Sequence, residues 1–282
     1  MIRQLVIVFC AITILVDACK NTDSARKSLD PEPFAVSYEH ISSLEKVASK
    51  YDLLIVEPEN YTKAAVDTLN TSENTLLGYI SLGEVNKYRW YYPLMEEQGF
   101  IGMNENWDSP YLNLADSTTR SILLDKVLPN IMVKGYDGLF LDTVDDVAPY
   151  TERSHLQPYM LEVIAGIKER YPEAIVIQNA GLFMLDKTHK YIDAVLIEDV
   201  ATAYNFERKD YHLRPKESYQ EKADKITTLK QKYNLPFLIV DFAKTNDLKR
   251  MARNRLDTLG MPYFISTIEL NDISKGISST QQ

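Results

Sequence analysis

Carboxylate side chains stand at the ends of six short apolar segments spread along the chain. The six end groups are Glu39, Glu57, Glu84, Asp142, Glu198 with its neighbour Asp199, and Asp241. If the segments are parallel strands of one barrel, these groups meet at its C-terminal rim, where barrel enzymes hold their catalytic residues. Each carboxylate could instead cap a helix or a turn, and Glu39 and Glu57 fit that alternative best. Six such ends on one rim favour an active site that works through carboxylates.

Asp142 has the clearest local context of the six. Residues 135–146 contain a turn, a short apolar strand and an acidic loop in succession. The acidic spacing differs from that of a calcium loop, and no histidine nearby completes a transition-metal site. The chain also lacks the HExxH and Gly-x-Ser-x-Gly motifs of metalloproteases and serine hydrolases. We therefore expect neither a metal nor a cofactor at this site.

The pattern of apolar and amphipathic segments predicts the elements that must position these groups. Eight apolar segments are predicted strands: 34–39, 53–57, 76–84, 138–142, 174–180, 194–198, 236–242 and 261–267. Amphipathic segments lie between most of them, which is typical of a parallel sheet covered by helices. The pattern predicts an α/β fold, a single-domain (β/α)8 TIM barrel whose last helix is short or missing. An open doubly wound sheet is the alternative, but no glycine-rich phosphate loop follows the first strand.

The N-terminal residues have the pattern of an export signal. Arg3 carries a positive charge, residues 5–16 are almost entirely apolar, and Val16-Asp17-Ala18-Cys19 resembles a bacterial lipobox. The apolar run is too short for an ordinary membrane-spanning helix. We expect an exported protein of the bacterial cell envelope, anchored to the membrane by a lipid on Cys19; a plain cleaved signal and secretion are the alternative. The predicted divisions are a lipoprotein-type signal peptide over 1–18, a tether over 19–33 and the barrel over 34–282.

Composition and charge narrow the class of partner. The 282 residues are 45% hydrophobic and 25% charged, which is ordinary for a globular protein and excludes a largely disordered chain. A formal net charge of −9 repels a phosphate backbone, so nucleic acid is not an expected partner. Cys10 lies in the predicted signal and Cys19 directly follows it, so no pair remains for a disulfide in the barrel.

Five short motifs, in order along the predicted strands, make the chain resemble a known family. They are GYISLGE at 78–84, GYDGLFLDT at 135–143, QNAG at 178–181, VLIE at 195–198 and IVDF at 239–242. With them the chain resembles family 114 of the glycoside hydrolases, the endo-α-1,4-polygalactosaminidase-like extracellular barrels of bacteria and archaea. The resemblance implies a (β/α)8 barrel that cleaves glycosidic bonds.

The resemblance also implies roles for the rim residues. Glycoside hydrolysis uses one carboxylic acid to protonate the leaving oxygen and a second carboxylate as nucleophile or base. The resemblance points to Glu198 as the general acid/base and to Asp142 as the nucleophile or electrostatic partner, although the two roles could be exchanged. The residues expected to bind substrate hydroxyls or amines are Glu84, Asp145 and Asp241, and those expected to orient the sugar are Tyr79, Gln178 and Asn179.

An aromatic-rich connection over residues 85–116 completes the expected site. Long connections in compact domains are usually functional. Trp90, Tyr91 and Trp107 are expected to stack on sugar rings, because flat amphipathic rings suit sugar faces. The alternative is that these rings pack the connection onto the barrel.

The expected partner is a polysaccharide or oligosaccharide substrate. An acidic rim suits a cationic polymer such as partly deacetylated galactosamine and disfavours uronic acids. Two other classes of protein stay open: a carbohydrate-binding barrel lipoprotein without turnover, and a structural lipoprotein that would not need the rim carboxylates.

Overall fold

The computed structural model describes residue 29, residues 31–69 and residues 74–279. Its strands are β1 Phe34–Ser37, β2 Leu53–Val56, β3 Thr75–Ser81, β4 Phe100–Asn104, β5 Ser109–Leu112, β6 Gly138–Asp142, β7 Ile175–Asn179, β8 Ala194–Glu198, β9 Thr202–Asn205, β10 Asp210–Leu213, β11 Phe237–Phe242, β12 Tyr263–Ser266 and β13 Ile277–Ser278. Its α-helices are α1 Leu44–Ala48, α2 Lys63–Leu69, α3 Tyr92–Glu96, α4 Ser117–Ile122, α5 Leu128–Met132, α6 Gln157–Arg170, α7 Leu185–Thr188, α8 Lys216–Tyr233 and α9 Asn246–Leu256. Among these described helices, none has the length and apolar character that crossing a membrane requires.

Eight parallel strands form a nearly closed barrel. Hydrogen-bonded neighbours follow the order β1-β2-β3-β6-β7-β8-β11-β12, and β13 pairs antiparallel with β12. Contacts cover the seam between β12 and β1: the rings of Phe264 and Phe34 lie 6.4 Å apart, and the amide of Tyr38 donates to the carbonyl of Leu270 at 2.8 Å. The predicted single-domain α/β barrel is confirmed, and no α-helix follows β12 in the described part of the chain.

The barrel strands are apolar on both faces. All four residues of β2 and all four of β12 are buried, as expected for parallel strands enclosed by the barrel interior and by helices. Gly138 begins β6 beside Ile175 of β7, and a Cβ atom at residue 138 would collide with the Ile175 backbone. The glycine therefore permits the close approach of β6 to β7, which carry Asp142 and Asn179 at their C-terminal ends.

Two antiparallel hairpins interrupt the alternation of strands and helices, and the sequence pattern does not predict them. One, β4 with β5, lies within the long aromatic connection; the other, β9 with β10, follows directly after β8. The middle of β4 is exposed, so it lacks the alternation that identifies a half-buried strand. The turns of the two hairpins touch, since the rings of Trp107 and Phe206 lie 5.5 Å apart edge to face.

Candidate active site

A cavity of about 930 Å³ lies at the C-terminal ends of the parallel strands, and its lining is strongly acidic. The lining carboxyl groups are Glu39, Glu57, Glu59, Glu84, Asp142, Asp145, Asp146, Glu198, Asp199 and Glu269, and the lining basic groups are Arg89, Arg214 and Lys222. This excess of acidic over basic groups favours a cationic ligand over an anionic one.

Asp142 and Glu198 share the side-chain amide of Asn179. Nδ2 of Asn179 donates to Oδ1 of Asp142 at 2.8 Å and to Oε1 of Glu198 at 3.3 Å. The strand order explains this contact, because each residue ends its strand and β7 lies between β6 and β8. The structure therefore brings the two predicted carboxylates together on one predicted orienting residue.

Donors hold both oxygens of Asp142. Oδ1 accepts from Asn179, and Oδ2 accepts from the phenol of Tyr79 at 2.7 Å. Tyr79 is itself held, since Tyr38 packs edge-on against its ring at 4.9 Å and the Arg89 guanidinium lies 5.3 Å from the ring centre. Burial, followed by the charge of Asp142, raises the pKa of Tyr79 well above its usual value, so the phenol remains a donor. An ionised carboxylate, which only accepts hydrogen bonds, matches this pair of donors.

Glu198 retains its proton at neutral pH. Burial raises the pKa of its carboxyl to about 8, and the charges of Asp142, Asp199 and Asp145 act in the same direction. The hydrogen bond from Asn179 opposes this shift. A carboxylic acid that is protonated at pH 7 and lines a cavity is suited to donate a proton to a leaving group.

Glu84, which is predicted to bind substrate, lines the cavity beside Asp146, an acid that the sequence analysis did not single out. Asn104 of β4 donates to Oε1 of Glu84 at 2.7 Å, which ties the first hairpin to the end of β3. Burial and the neighbouring charge of Glu84 raise the pKa of Asp146. Asp145, the next predicted binding residue, also lines the cavity and is exposed there.

The structure does not bring Asp241 into the cavity. Its side chain is fully buried, and its carboxylate accepts hydrogen bonds from the backbone amides of Ala201 at 2.6 Å and Thr202 at 2.9 Å. The Thr202 hydroxyl donates to it as well. These partners lie in the turn after β8 and at the first residue of β9. Asp241 was predicted to contact substrate, and in the structure its carboxylate holds this backbone instead.

Gln178 is also fully buried and does not line the cavity. Its Nε2 donates to the carbonyls of Ala180 at 2.9 Å and Gly181 at 3.3 Å, which holds the turn after β7. Successive residues of a strand point to opposite faces, so Asn179 faces the cavity and Gln178 does not.

Of the three aromatic residues predicted to stack on sugars, only Trp107 lines the large cavity. Its side chain is 47% exposed. Tyr91 is only 3% exposed and packs edge-on against Trp90 at 5.4 Å, and both line a small separate pocket. The packing alternative therefore describes Tyr91 better than stacking on a ligand does.

An ion pair that the sequence analysis missed forms part of the cavity wall. The guanidinium of Arg89 donates to the two carboxylate oxygens of Glu57 at 2.5 and 2.7 Å. Glu57 also accepts from the amide of Glu59 in the turn that follows β2, so its predicted turn role is only part of what it does. The sequence contains a carboxylate at a strand end and an arginine among aromatic residues. However, no rule on sequence spacing predicts that these two residues pair.

Two further predictions concern a metal ion and a lipid anchor. Within the described residues, no group of three or more His, Cys, Asp or Glu side chains is placed to hold a metal ion. Cys19, the predicted site of lipidation, lies outside the described residues.

Barrel enzymes hold their catalytic residues at the C-terminal rim, where this chain has its carboxyl groups. Cleavage of glycosidic bonds is one reaction that carboxyl groups carry out. Residues 20–278 match glycoside-hydrolase family GH114. The chain therefore belongs to this family and is a glycoside hydrolase. No curated protein sequence matches it.

Solved structures share the barrel fold. The glycoside hydrolase domain of PelA from Pseudomonas aeruginosa aligns with a TM-score of 0.77 and 23% identity, covering 88% of this chain and 98% of that one. Ega3 from Aspergillus fumigatus, in complex with galactosamine, aligns with a TM-score of 0.67 and 14% identity, covering 85% of this chain and 92% of that one. An alpha-amylase from Geobacillus thermoleovorans, complexed with acarbose, aligns with a TM-score of 0.51 and 11% identity, covering 84% of this chain and 70% of that one.

Proposed function

We propose that this glycoside hydrolase is exported and cleaves a polysaccharide containing galactosamine, with Glu198 as the proton donor and Asp142 as the nucleophile. The observation that carries the proposal is the amide of Asn179, which contacts both carboxyl groups in the cavity. The different surroundings of the two carboxyls support different roles: Asp142 accepts from two donors, whereas Glu198 holds a proton.

The proposed reaction has two steps. Glu198 donates its proton to the glycosidic oxygen as the bond from that oxygen to the anomeric carbon breaks, and Asp142 bonds to the anomeric carbon. Glu198 then takes a proton from water, whose oxygen displaces Asp142 from the anomeric carbon. Both carboxyl groups return to their starting states, and one water is consumed.

The separation of the two carboxyls supports retention of configuration. Oδ1 of Asp142 and Oε1 of Glu198 contact the same nitrogen at 2.8 and 3.3 Å, so their separation cannot exceed the sum of these distances. Carboxyl groups lie about 5–5.5 Å apart in retaining enzymes and about 6.5–9.5 Å apart in inverting ones. Proton NMR during turnover is expected to detect the product first with the anomeric configuration of the substrate; first appearance of the opposite anomer contradicts the nucleophile role of Asp142.

The charge of the cavity supports the substrate class. Even with Glu198 protonated, the lining carboxyl groups outnumber the three basic groups and attract a polymer whose free amines are protonated. The Ega3 barrel, which has the same fold, was solved in complex with galactosamine. A polyuronic acid, which carries a carboxylate on each sugar, is repelled by the same lining.

The N-terminal pattern supports export with a lipid anchor. An apolar run over residues 5–16 precedes Ala18 and Cys19, as in lipoprotein signals. In a bacterial host, a labelled fatty acid is expected to enter the wild-type protein, whereas Cys19→Ala remains unlabelled and moves to the soluble fraction. Absence of label from the wild-type protein overturns the anchor and leaves a plain cleaved signal.

The central experiment measures release of reducing ends from partly deacetylated α-1,4-linked galactosamine polymer, with polygalacturonic acid as the negative control. Glu198→Gln should lose about 10²–10⁴-fold in kcat, because positioned acid–base groups contribute that much. Asp142→Asn should also lose most of its activity, because the amide is too weak a nucleophile to form the covalent intermediate. Asp186→Asn and Glu221→Gln make the same chemical changes at exposed helix positions and should stay at the wild-type rate. A folded Glu198→Gln variant that keeps more than about a tenth of wild-type kcat removes Glu198 from the role of proton donor.

A further inference from the structure

Buried charges hold the backbone that follows Glu198. The carbonyl of Glu198 accepts a hydrogen bond from Nζ of Lys222 on α8 at 2.8 Å. The carbonyl of Asp199 accepts two from the guanidinium of Arg214, at 3.1 Å from Nε and 2.8 Å from Nη2. Two consecutive carbonyl groups are therefore each bound by a cationic side chain, which gives stronger hydrogen bonds than neutral donors do.

The next residues of the same turn are bound by two further elements. Asp241 of β11 accepts from the backbone amides of Ala201 and Thr202. Arg255 of α9 donates to the carbonyl of Ala201 at 3.2 Å. We call Lys222, Arg214, Asp241 and Arg255 the charged cage of the 198–202 turn.

Inside this cage, Asp199 has an unusual conformation. Its φ angle is +56°, in the left-handed region that residues with a side chain seldom occupy. Its carboxyl lines the cavity, and Oδ1 is buried without a hydrogen-bond partner among the described residues. Strained backbone and an unsatisfied buried oxygen both cost stability, and such costs are concentrated at functional sites.

We propose that the charged cage holds Asp199 in this conformation so that its carboxylate faces the same cavity as Glu198 and keeps the proton on Glu198, which makes Asp199 a positioning residue for catalysis. The inference rests on the proposed function, since it takes Glu198 as the proton donor.

The effect of Asp199 on the proton affinity of Glu198 depends on the other groups that surround Glu198. They are Tyr38 after β1, Asp142 and Asp145 at and after β6, Asn179 on β7, Asp199 itself and Lys222 on α8. Arg214 and Asp241 act on Asp199 in turn. Three of these groups are acids that act on Glu198 directly, whereas Lys222 opposes them, so the net field favours the neutral form of Glu198.

Asp199 differs from Asp142 because its charge persists through the reaction. In the proposed first step Asp142 becomes an ester and loses its charge, so it no longer raises the proton affinity of Glu198. Asp199 stays ionised, and it therefore maintains the basicity that Glu198 needs to take a proton from water in the second step.

The protonation states agree with this role near neutral pH. Burial, with the charge of Asp241, raises the pKa of Asp199 to about 6, and burial raises that of Glu198 to about 8. Between these two values Asp199 is charged and Glu198 is protonated. Removal of the Asp199 charge lowers the pKa of Glu198, and removal of the Lys222 charge raises it.

Three variants test the proposal through the alkaline limb of the pH profile of kcat/KM. Asp199→Asn and Asp199→Gly are expected to move this limb about one pH unit lower, and Lys222→Met is expected to move it upward. Glycine suits a φ angle of +56°, so Asp199→Gly should unfold at a higher temperature than wild type while its limb still moves. Glu221→Gln, an exposed charge change beside Lys222, is the control and should leave the limb in place.

A direct titration needs no substrate. The carboxyl carbon of Glu198 is followed by NMR in protein labelled at glutamate carboxyls, and the signal absent from Glu198→Gln identifies it. Its midpoint should be lower in both Asp199 variants. An unchanged midpoint in folded Asp199→Gly overturns the inference even when Glu198→Gln is inactive, which leaves the proposed function standing. If Glu198→Gln is active, Glu198 is not the proton donor and the proposed function fails. A shift of the Glu198 midpoint in the Asp199 variants then has no bearing on catalysis.

Discussion

The phenolic oxygen of Tyr79 donates a 2.7 Å hydrogen bond to Oδ2 of Asp142. Tyr79 belongs to β3 and Asp142 ends the neighbouring β6, so the bond joins the side chains of two adjacent barrel strands. Arg89 lies against the Tyr79 ring while paired with Glu57, so three residues from three parts of the chain position the Asp142 carboxylate. This relationship leads to the first prediction.

Tyr79→Phe should lower kcat by roughly 10- to 150-fold, because a hydrogen bond to a charged group contributes about 1.5–3 kcal/mol. The ring and its packing are retained, so the melting temperature should change little. Steady-state rates and thermal unfolding are the measurements, with Tyr150→Phe at a highly exposed position as the control. A kcat equal to wild type contradicts the assignment of Tyr79 as a positioning residue for Asp142.

The pH dependence of activity should follow Glu198. Its raised pKa of about 8 means that the proton donor is present below that pH and is lost as the pH rises through it. We therefore expect kcat/KM to be maintained near pH 7 and to fall tenfold for each unit above about 8. The profile should lose this limb in Glu198→Gln. If the alkaline limb persists in Glu198→Gln, another group is responsible for it.

Asp241→Asn should destabilise the protein by about 2–4 kcal/mol, because the buried carboxylate accepts from two backbone amides and a hydroxyl. An asparagine places an N–H group against these donors. Urea unfolding measures the loss, and Asp210→Asn, an exposed change on β10, should cost little. If Asp241→Asn keeps wild-type stability but raises KM, the substrate-binding role expected from the sequence is the better one.

The aromatic residues of the long connection should separate into two classes. Trp107→Ala should raise KM for the polymer with little change in melting temperature, since the ring is half exposed at the cavity. Tyr91→Ala should instead lower stability by about 3–5 kcal/mol, as expected for loss of a buried aromatic side chain. Thermal unfolding beside KM separates the two effects. A large loss of stability in Trp107→Ala means that this ring also packs the hairpins together.

The eight barrel strands and their helices could be predicted because each strand is a short apolar run whose burial follows from its own residues. The segments 53–57 and 138–142, for example, contain β2 and β6. The carboxylates at the strand ends could be predicted for the same reason, since parallel strands deliver their C-terminal residues to one rim. The hairpins could not, because the residues in the middle of β4 are exposed and carry no periodic apolar signal.

The sequence by itself determined the barrel and the acidic character of its rim, because local patterning and strand polarity set these properties. The choice of Asp142 and Glu198 among the rim carboxylates came from the family resemblance. Only the tertiary structure decided which neighbour each rim residue meets. Asp241 and Asp142 both occur in an apolar strand, yet one is turned to the backbone of residues 201–202 and the other to the cavity. Side-chain direction, the pairing of Arg89 with Glu57 and the protonation of Glu198 all depend on groups far apart in the chain, and their energies exist only once the strands are side by side.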